Sequence, residues 1–487
     1  MDWSQSLRLV APELLLSIAG LVLLLGSAWA KAERDARVIT WLAVAVLAGC
    51  AALVAPALWD GAHGPDRLAF SGLYSADAFA SFAKLLIYAA AGASLLVAPA
   101  FFDRVRAYRP EYPVLVLFAA MGMGIMVSAT NLLTLYIGLE LNSLAAYVLA
   151  AFLRTDDRSA EAGLKYFVLG SLASGILLFG ISLTYGFTGT IGFTGIASAL
   201  QGGLSTGAMF GLVFVLAGLA FKISAVPFHM WTPDVYEGAP TPVTTFFASA
   251  PKVAALGLTM IVALQAFGTQ VAAWQPIVIF AALASIVVGA LGAIGQTNLK
   301  RLLAYSSINN VGFLLIGLAA ATPQGAAGML VYLAIYVAMT IGGFVAVLML
   351  KDADGNPVEE LADIAGLSRH RKVLAACLAM VMFSLAGIPP LFGFWGKFVV
   401  FQAAVQAGLI PLAAIGIAAS VIGAFYYLKV VKVMYFDEPA NKAVGQSDWV
   451  HQALLALCAL FISPAGYLLT KCLGALAASA AAVLFHA

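Results

Sequence analysis

The chain has 487 residues, of which 63% are hydrophobic and 10% are charged, and its mean hydropathy is +0.99. An average soluble domain has about 25% charged residues, so this composition excludes a protein with a water-covered globular surface. The formal net charge of +2 also excludes the concentrated basic surface of a nucleic-acid-binding protein. Since a membrane-spanning helix needs about 20 apolar residues, we predict an all-α polytopic membrane protein.

Fourteen apolar runs in the chain are long enough to cross a bilayer. The predicted spans are residues 10–30, 38–58, 78–102, 113–129, 131–153, 161–187, 208–228, 241–265, 272–294, 300–320, 325–350, 373–400, 408–434 and 449–470. The remaining tail, from Cys472 to Ala487, is apolar but short, and we interpret it as an interfacial extension of the last helix.

The loops that join these spans differ in charge from one side of the membrane to the other. Most loop lysines and arginines follow odd-numbered spans, and only Arg8, Arg67 and Lys471 lie on the opposite side. Short cytoplasmic loops carry the excess of basic residues in membrane proteins. The alternation therefore supports the number of fourteen spans and predicts that both termini face away from the cytoplasm.

Several ionisable residues lie inside the predicted spans, where a charge costs at least about 2.5–3.5 kcal/mol on insertion scales. The intramembrane lysines are Lys84, Lys165, Lys222, Lys252 and Lys397. Lys84 is close enough to the start of its span to reach the interface, and Lys165 follows Glu161 at the spacing of an intrahelical ion pair. Glu140 and the other three lysines have no partner within one helical turn, so we predict functional roles for them.

Lysine is suited to the transfer of protons inside a membrane. Burial disfavours the charged form of a lysine, whereas a neighbouring carboxylate favours it. Arginine would stay protonated in both environments. Because all the intramembrane bases are lysines, the sequence favours proton transfer over ion pairing that only stabilises the fold.

Two of the predicted spans contain prolines and are expected to be discontinuous helices. Span 7 has Lys222 five residues before Pro227, and span 12 has Lys397 seven residues after Pro390. Proline inside a span frees a backbone carbonyl group, which is tolerated where it is buried in protein or lines a wet cavity. Paired interruptions in the two halves of a transporter indicate its ion path.

Spans 5 and 10 resemble each other in the same way as spans 7 and 12. Thr130-Asn131-Leu132 opens one and Thr297-Asn298-Leu299 opens the other, and Asn142 matches Asn309 at the same offset. These pairs predict two five-helix repeats, helices 4–8 and 9–13, and the odd number of helices makes them inverted. The expected domains are residues 1–112, 113–265, 266–434 and 435–487.

Motifs of soluble enzymes are absent from the sequence. It has neither a phosphate-binding Gly-x-x-x-x-Gly-Lys-Ser/Thr nor a dinucleotide-binding Gly-x-Gly-x-x-Gly, and its four cysteines have no metal-ligand spacing. We therefore expect no metal site and no cofactor in this chain. His229 lies just past the break of span 7, where an imidazole could pass protons between a buried lysine and water or simply cap the helix.

Several segments together resemble the antiporter-like membrane subunits of respiratory NADH:quinone oxidoreductase, complex I. The matching segments are Leu135–Leu141, Gly163–Phe167, Phe221–Pro240, Asn298–Ile308 and Gly387–Lys397. They extend over residues 110 to 430, and the long segment of span 7 is highly specific. The resemblance implies fourteen helices, inverted repeats, discontinuous helices 7 and 12, and proton translocation coupled to quinone reduction elsewhere in the complex.

The resemblance also implies roles for individual residues. Glu140 corresponds to the carboxylate that pairs with Lys222, and Lys165 to the lysine that tunes either of them. Lys252 corresponds to the central connecting lysine and Lys397 to the terminal proton site of helix 12.

Two further residues are included among the expected proton-translocation residues, His229 and Lys300. Lys300 lies at the cytoplasmic edge of helix 10, where topology alone also explains a lysine. Flavin, iron–sulfur clusters and quinone are expected in partner subunits. The expected partners are other complex I membrane subunits, especially the antiporter-like subunit M and the small membrane subunits, in a bacterial inner membrane.

Three other functions remain to be distinguished from this one. The first is an ion-exchange subunit of a multisubunit sodium/proton antiporter, which shares the helix pattern and much of the span-7 motif. The second is a membrane subunit of a hydrogenase-type complex. The third is a purely structural membrane scaffold, which does not account for unpaired intramembrane charges beside two broken helices.

Overall fold

The structure, a computed structural model, describes residues 3–29, 32–445 and 448–485, and within them it is almost entirely helical. Helices α1 to α7 are Trp3–Leu9, Ala11–Ser27, Ala32–Trp59, Ala78–Phe102, Glu111–Val127, Leu132–Ala150 and Asp157–Thr188. Helices α8 to α14 are Phe193–Ala199, Thr206–Ile223, Trp231–Gly238, Thr241–Phe247, Ala250–Ile261, Val271–Ile294 and Leu299–Ala319. Helices α15 to α21 are Pro323–Met349, Leu367–His370, Lys372–Ala386, Phe392–Gln406, Ile410–Phe436, Trp449–Ile462 and Thr470–Ala482. Two short antiparallel strands, β1 (Leu68–Ala69) and β2 (Tyr74–Ser75), form a hairpin.

The described helices agree with the predicted spans. Eleven helical segments are long and apolar enough to cross a membrane, and a twelfth is added when α1 and α2, which meet at 71°, count as one span. Helices α5, α17 and α20 are apolar but shorter. Each of the fourteen predicted spans coincides with one or more of these helices, so the prediction of an all-α polytopic membrane protein is confirmed.

Both predicted discontinuous helices are interrupted. In helix 7, α9 ends at Ile223 and α10 begins at Trp231, and Ser224 between them has the left-handed φ of 64°. In helix 12, α17 ends at Ala386 and α18 begins at Phe392, with Gly387 at a φ of 82°. Each break contains a cis proline bond, Val226–Pro227 in helix 7 and Pro389–Pro390 in helix 12. The breaks leave helix-end carbonyl groups inside the protein.

The last predicted span is also interrupted, which the sequence analysis missed. Helix α20 ends at Ile462, a 3-10 turn follows over Pro464–Leu469, and α21 then begins. Within the turn, the ring of Tyr467 contacts Phe392 at the break of helix 12, with a centroid distance of 5.5 Å. The tail is therefore a second helical segment packed on α15 and α4, and it does not simply extend α20 along the interface. Pro464 explains the difference, because proline cannot continue the helix that precedes it. His486 and Ala487 lie outside the described residues.

Helix α15 is at the centre of the second half of the molecule. Almost every residue of α15 is buried. Its neighbours are α11, α14, α17, α18, α20 and α21. Such an all-apolar helix is stable only when protein surrounds it or lipid covers it, and here protein surrounds it.

Corresponding contacts occur in the two halves of the chain. The side chain of Asn131 accepts hydrogen bonds from the first N–H groups of α6, and that of Asn298 does the same for α14. The offset of 167 residues between these caps also relates Gly122 to Gly289. Gly122 of α5 lies against the backbone of Asn142, and Gly289 of α13 against that of Asn309. A side chain at either glycine would collide with the facing helix, so glycine allows the same close helix–helix approach in both halves of the chain.

A buried charge cluster joins the first and third spans through Tyr74 of β2. The ammonium group of Lys84 lies 2.6 Å from the carboxylate of Glu13, and both side chains are at most 3% exposed. The hydroxyl of Tyr74 accepts a hydrogen bond from Lys84 at 2.5 Å and donates one to Glu13 at 2.5 Å. Lys84 thus does not extend to the interface, because a carboxylate in the first span, which the sequence analysis overlooked, neutralises it.

Replacement of Glu13 by glutamine is expected to destabilise the protein by about 3–5 kcal/mol, because the ammonium group of Lys84 would remain buried without its anion. The measurement is the thermal denaturation of the purified membrane complex. A Glu13→Gln/Lys84→Met double variant should recover part of the loss. Asp103→Asn is the control, since its partner Arg37 is 62% exposed and such surface pairs contribute about 0–1 kcal/mol. Equal losses in Glu13→Gln and Asp103→Asn would contradict this interpretation.

Candidate proton-transfer site

Glu140 and Lys222 lie near each other on α6 and α9 but form no ion pair in the described structure. The ammonium group of Lys222 donates a hydrogen bond to the Ser143 hydroxyl at 2.7 Å and approaches the Tyr147 hydroxyl at 3.4 Å. The carboxylate of Glu140 accepts a hydrogen bond from Ser174 of α7. Both charged side chains are only half-buried. The pairing that the family resemblance implies is therefore not a direct contact in this conformation.

Ser143 and Tyr147 lie beside Lys222 on the helix that carries Glu140. Ser143 follows Glu140 by three residues and Tyr147 follows it by seven, so all three lie on one face of α6. The Ser143 hydroxyl accepts from Lys222 and donates to the carbonyl oxygen of Leu139 at 2.6 Å. This hydroxyl can exchange its donor and acceptor roles, so it is suited to relay a proton between Lys222 and the side of α6 that carries Glu140.

Lys252 of α12 binds the end of the first half of helix 7. Its ammonium group, almost completely buried, donates to the carbonyl oxygen of Ile223 at 2.8 Å and to the hydroxyl of Ser224 at 2.6 Å. Ser224 also accepts a hydrogen bond from Thr232 of α10 at 2.6 Å. Lys252 thus contacts the residue that follows Lys222, and Ser224 connects it to the second half of helix 7.

Lys397 makes similar contacts at the break of helix 12. Its ammonium group is buried and donates to the carbonyl oxygens of Leu385 at 2.8 Å and Ala386 at 3.3 Å. It also lies 4.3 Å from the ring centroid of Phe313 on α14. Both lysines are therefore held by the carboxyl end of an interrupted helix, where the helix dipole and unpaired carbonyl groups favour a positive charge.

Lys165 is in a different place from the one that the resemblance implies. Its ammonium group pairs with Glu161 at 2.6 Å and with Asp234 of α10 at 2.7 Å, and does not contact Glu140 or Lys222. The other oxygen of Asp234 pairs with Arg301 of α14 at 2.7 Å. The predicted spacing of Glu161 and Lys165 is therefore an actual ion pair, and Asp234 extends it into a network across three helices.

Lys300 and His229 are both placed beside helix 7. The buried ammonium group of Lys300 donates to the carbonyl oxygen of Ala239, which follows the last residue of α10, at 2.7 Å and lies 3.6 Å from Glu359. Lys300 thus binds a third helix end and is more deeply placed than a simple interfacial lysine. His229 is half-buried in the break, and its Nδ1 atom has no hydrogen-bond partner in the described part of the chain.

A buried polar network between α14, α15 and α19 was not identified as functional from the sequence. Asn310 donates to the Tyr427 hydroxyl at 3.1 Å and accepts from Tyr332 at 2.5 Å, while Ser306 bonds to the same Tyr427 at 2.5 Å. The ring of Tyr332 packs against Gly396, the neighbour of Lys397. This network could have been predicted from the run Ser306-Ser307-Ile308-Asn309-Asn310, which lies inside a membrane helix.

Further buried hydroxyl groups lie on α15 and on the second half of helix 7. The Tyr336 hydroxyl of α15 donates to Ser307 at 2.8 Å, and the hydroxyl of Tyr236 on α10 donates to the carbonyl oxygen of Phe247 at 3.2 Å. Tyr236 lies one turn after Thr232, which bonds to Ser224. Polar groups thus lie beside Lys252 and in the neighbourhood of Lys397, without a continuous chain of hydrogen bonds among the described residues. Among the described residues, no group of three or more His, Cys, Asp or Glu side chains could hold a metal ion.

Comparison with known proteins identifies the family. Residues 129–423 match the family model described as NADH:quinone oxidoreductase/Mrp antiporter, TM. The NADH-quinone oxidoreductase subunit N of Erythrobacter litoralis is 68% identical over 487 residues, which cover all of both chains. The chain belongs to the NADH-quinone oxidoreductase subunit N family. It is thus a multi-pass protein of the bacterial inner membrane and a subunit of an enzyme complex, as the sequence analysis predicted.

Solved structures support the subunit N fold. A chain of respiratory complex I from Thermus thermophilus has a TM-score of 0.80 and 32% identity, with 96% of this chain and 99% of that chain covered. A chain of the Mrp complex from Dietzia has a TM-score of 0.85 at 22% identity, with 100% and 98% covered. At that identity the Mrp likeness concerns the fold alone. Membership in the subunit N family implies that other complex I subunits are the partners.

Proposed function

We propose that this chain translocates protons as a membrane subunit of NADH:quinone oxidoreductase, through the series Glu140, Lys222, Lys252 and Lys397. The observation that carries the proposal is the set of polar contacts at the two broken helices. Lys222 bonds to Ser143 on the helix that carries Glu140, and Lys252 binds the backbone next to Lys222. Hydrogen bonds connect only part of the series, so the remaining proton transfers need water or a side-chain movement to bridge the gaps.

The proposed path continues from Lys252 through hydroxyl and amide groups to Lys397. Ser224 and Thr232 carry it across the break of helix 7, and the buried network of α14, α15 and α19 carries it toward helix 12. Ionisable groups buried in a membrane are costly, so their presence indicates a functional role. The three lysines of this path hydrogen-bond to neutral groups, so no fixed anion holds their protons and a change in nearby charge shifts the protonation equilibrium of each.

The remaining candidates are assigned supporting roles. Lys165 and Asp234 hold the second half of helix 7 between α7 and α14, and Lys300 fixes the end of that half-helix. His229, half-buried in the break, exchanges protons with water from the exposed part of its ring, while its Nδ1 atom is buried. Through these contacts, movement of α10 would change the distance between Lys222 and Lys252.

We propose that the chain is divided into N-terminal helices over residues 1–112, two inverted repeats over residues 113–265 and 266–434, and a C-terminal segment over residues 435–487. The equivalent caps Asn131 and Asn298, and the equivalent contacts of Gly122 and Gly289, support the repeats. We further propose that the antiporter-like subunit M and the small membrane subunits adjoin this chain. Flavin, iron–sulfur clusters and quinone would then belong to partner subunits.

Lys252→Met tests the proposal in inverted membrane vesicles from the native host. We expect NADH-driven acidification of the vesicles to fall at least about threefold while the complex still assembles, because the central proton acceptor is lost. If instead NADH-driven acidification is unchanged and sodium-induced collapse of a proton gradient disappears, the chain is an ion-exchange subunit and the respiratory function is wrong. Lys432→Met is the control, since Lys432 is 64% exposed and paired with Asp437.

A further inference from the structure

A cleft of about 490 Å³ lies at the side predicted to be cytoplasmic. It is formed by the segment between α4 and α5 and by the end of α6 with the loop that follows. Three of its lining residues are arginines, Arg106, Arg109 and Arg154. Arg154 follows Arg109 by 45 residues in the sequence, so the fold brings these charges together.

The side chains of the three arginines have no acceptor among the described residues. Their side chains are exposed, and none makes a hydrogen bond or ion pair with any described residue. Neighbouring cations differ, because Arg104 donates to the carbonyl oxygen of Gly355 and Arg37 pairs with Asp103. Glu111 is the one acidic residue among those that line the cleft, so the lining carries an excess of two positive charges.

The cleft opens onto an apolar strip of α6. Val148 lines it and is 52% exposed, and Leu144 and Ile137, which follow on the same face toward the membrane interior, are 57% and 56% exposed. Spacings of four and seven residues place these side chains above one another along the helix. A basic cleft thus continues directly into a surface that fits a hydrocarbon chain.

We propose that this cleft binds the phosphate headgroup of an anionic phospholipid, with an acyl chain along the apolar strip of α6. Arginine binds phosphate oxygens through paired N–H groups, and basic pockets between membrane helices on the cytoplasmic side bind anionic headgroups. A zwitterionic lipid brings its own cation, which three unpaired guanidinium groups repel. The cleft therefore selects phosphatidylglycerol over phosphatidylcholine.

Photolabelling of the purified complex tests this site. The assembled complex is stripped of lipid in detergent and labelled with phosphatidylglycerol or phosphatidylcholine that carries a photoreactive acyl chain, and labelled peptides of this chain are mapped. We expect phosphatidylglycerol to label the α6 peptide that contains Val148. Because each arginine near an anionic surface contributes about fivefold in binding, Arg106→Gln/Arg109→Gln/Arg154→Gln should raise the half-labelling concentration at least tenfold.

Two further variants keep the test decisive. Lys432→Gln/Lys442→Gln removes exposed, paired cations from the same side and should leave labelling unchanged. Glu111→Gln removes the opposing charge and should increase labelling even if the arginine variant fails to assemble. Equal labelling by the two lipids, or no response to either the arginine or the Glu111 change, overturns the proposal. Cross-links from the cleft to a neighbouring subunit overturn it as well, since protein would then fill the cleft.

Discussion

Lys222→Ala is expected to lower NADH-driven proton pumping and NADH-linked turnover at least about tenfold, equivalent to about 1.4 kcal/mol in the activation free energy. The ammonium group of Lys222 is the only cation that contacts the Ser143 hydroxyl among the described residues. Without it, the Glu140 face of α6 loses its connection to the break of helix 7. Acidification of inverted vesicles and electron transfer to quinone measure the two activities.

Lys222→Arg distinguishes proton exchange from charge balance at the same position. Arginine keeps the positive charge and the hydrogen-bond donors but does not release its proton. If Lys222 exchanges protons, Lys222→Arg should be as defective as Lys222→Ala, and Glu140→Gln should show a comparable loss. Wild-type pumping in Lys222→Arg would mean that only the charge matters, which would remove Lys222 from the proton path.

Lys397→Ala should produce a loss of similar size, at least about tenfold in NADH-driven pumping, because it removes the end of the path. Its ammonium group contacts backbone carbonyl groups of α17 and the ring of Phe313. Among the described residues, no carboxylate forms an ion pair with it. The measurement is vesicle acidification at a fixed amount of assembled complex, determined by immunoblotting of this chain.

Lys429→Ala is the matched control for Lys397→Ala. Lys429 also donates to a carbonyl oxygen at a helix end, that of Ile294 at 3.2 Å, but the helix that it binds, α13, is not one of the two broken helices. If binding to a helix end were sufficient for function, both variants would lose pumping. We expect Lys429→Ala to keep near wild-type pumping, so an equal loss in the two variants would show that Lys397 acts only by stabilising the fold.

Hydropathy and proline positions were sufficient to predict the spans and the breaks of helices 7 and 12. These features depend on local composition, which the bilayer constrains strongly. The break in the last span was missed because Pro464 lies near its predicted end, where an interruption resembles a boundary. What distinguishes the two cases is the packing of Tyr467 against helix 12, which is tertiary.

The intramembrane ionisable residues were also predictable, but their partners were not. The sequence places Lys165 four residues from Glu161, and that pair exists, whereas Asp234 comes from a different helix. Glu13 lies near the start of its span, so its burial against Lys84 depends on how three helices pack. Small polar residues such as Ser143 carry no hydropathy signal of their own, although they connect the charges.

The enclosure of α15 has a consequence for how the protein is made. Its neighbours include α11, which precedes it, and α20 and α21, which are the last helices to be synthesised. While the ribosome is still working, α15 must be in the bilayer with one side open to lipid. Its final surroundings form only after α21 has been made, so α15 cannot reach its final packing at the time of its own synthesis. A stop codon just before Pro464 would leave the residues of the proposed proton path in the chain but open one side of α15 to lipid.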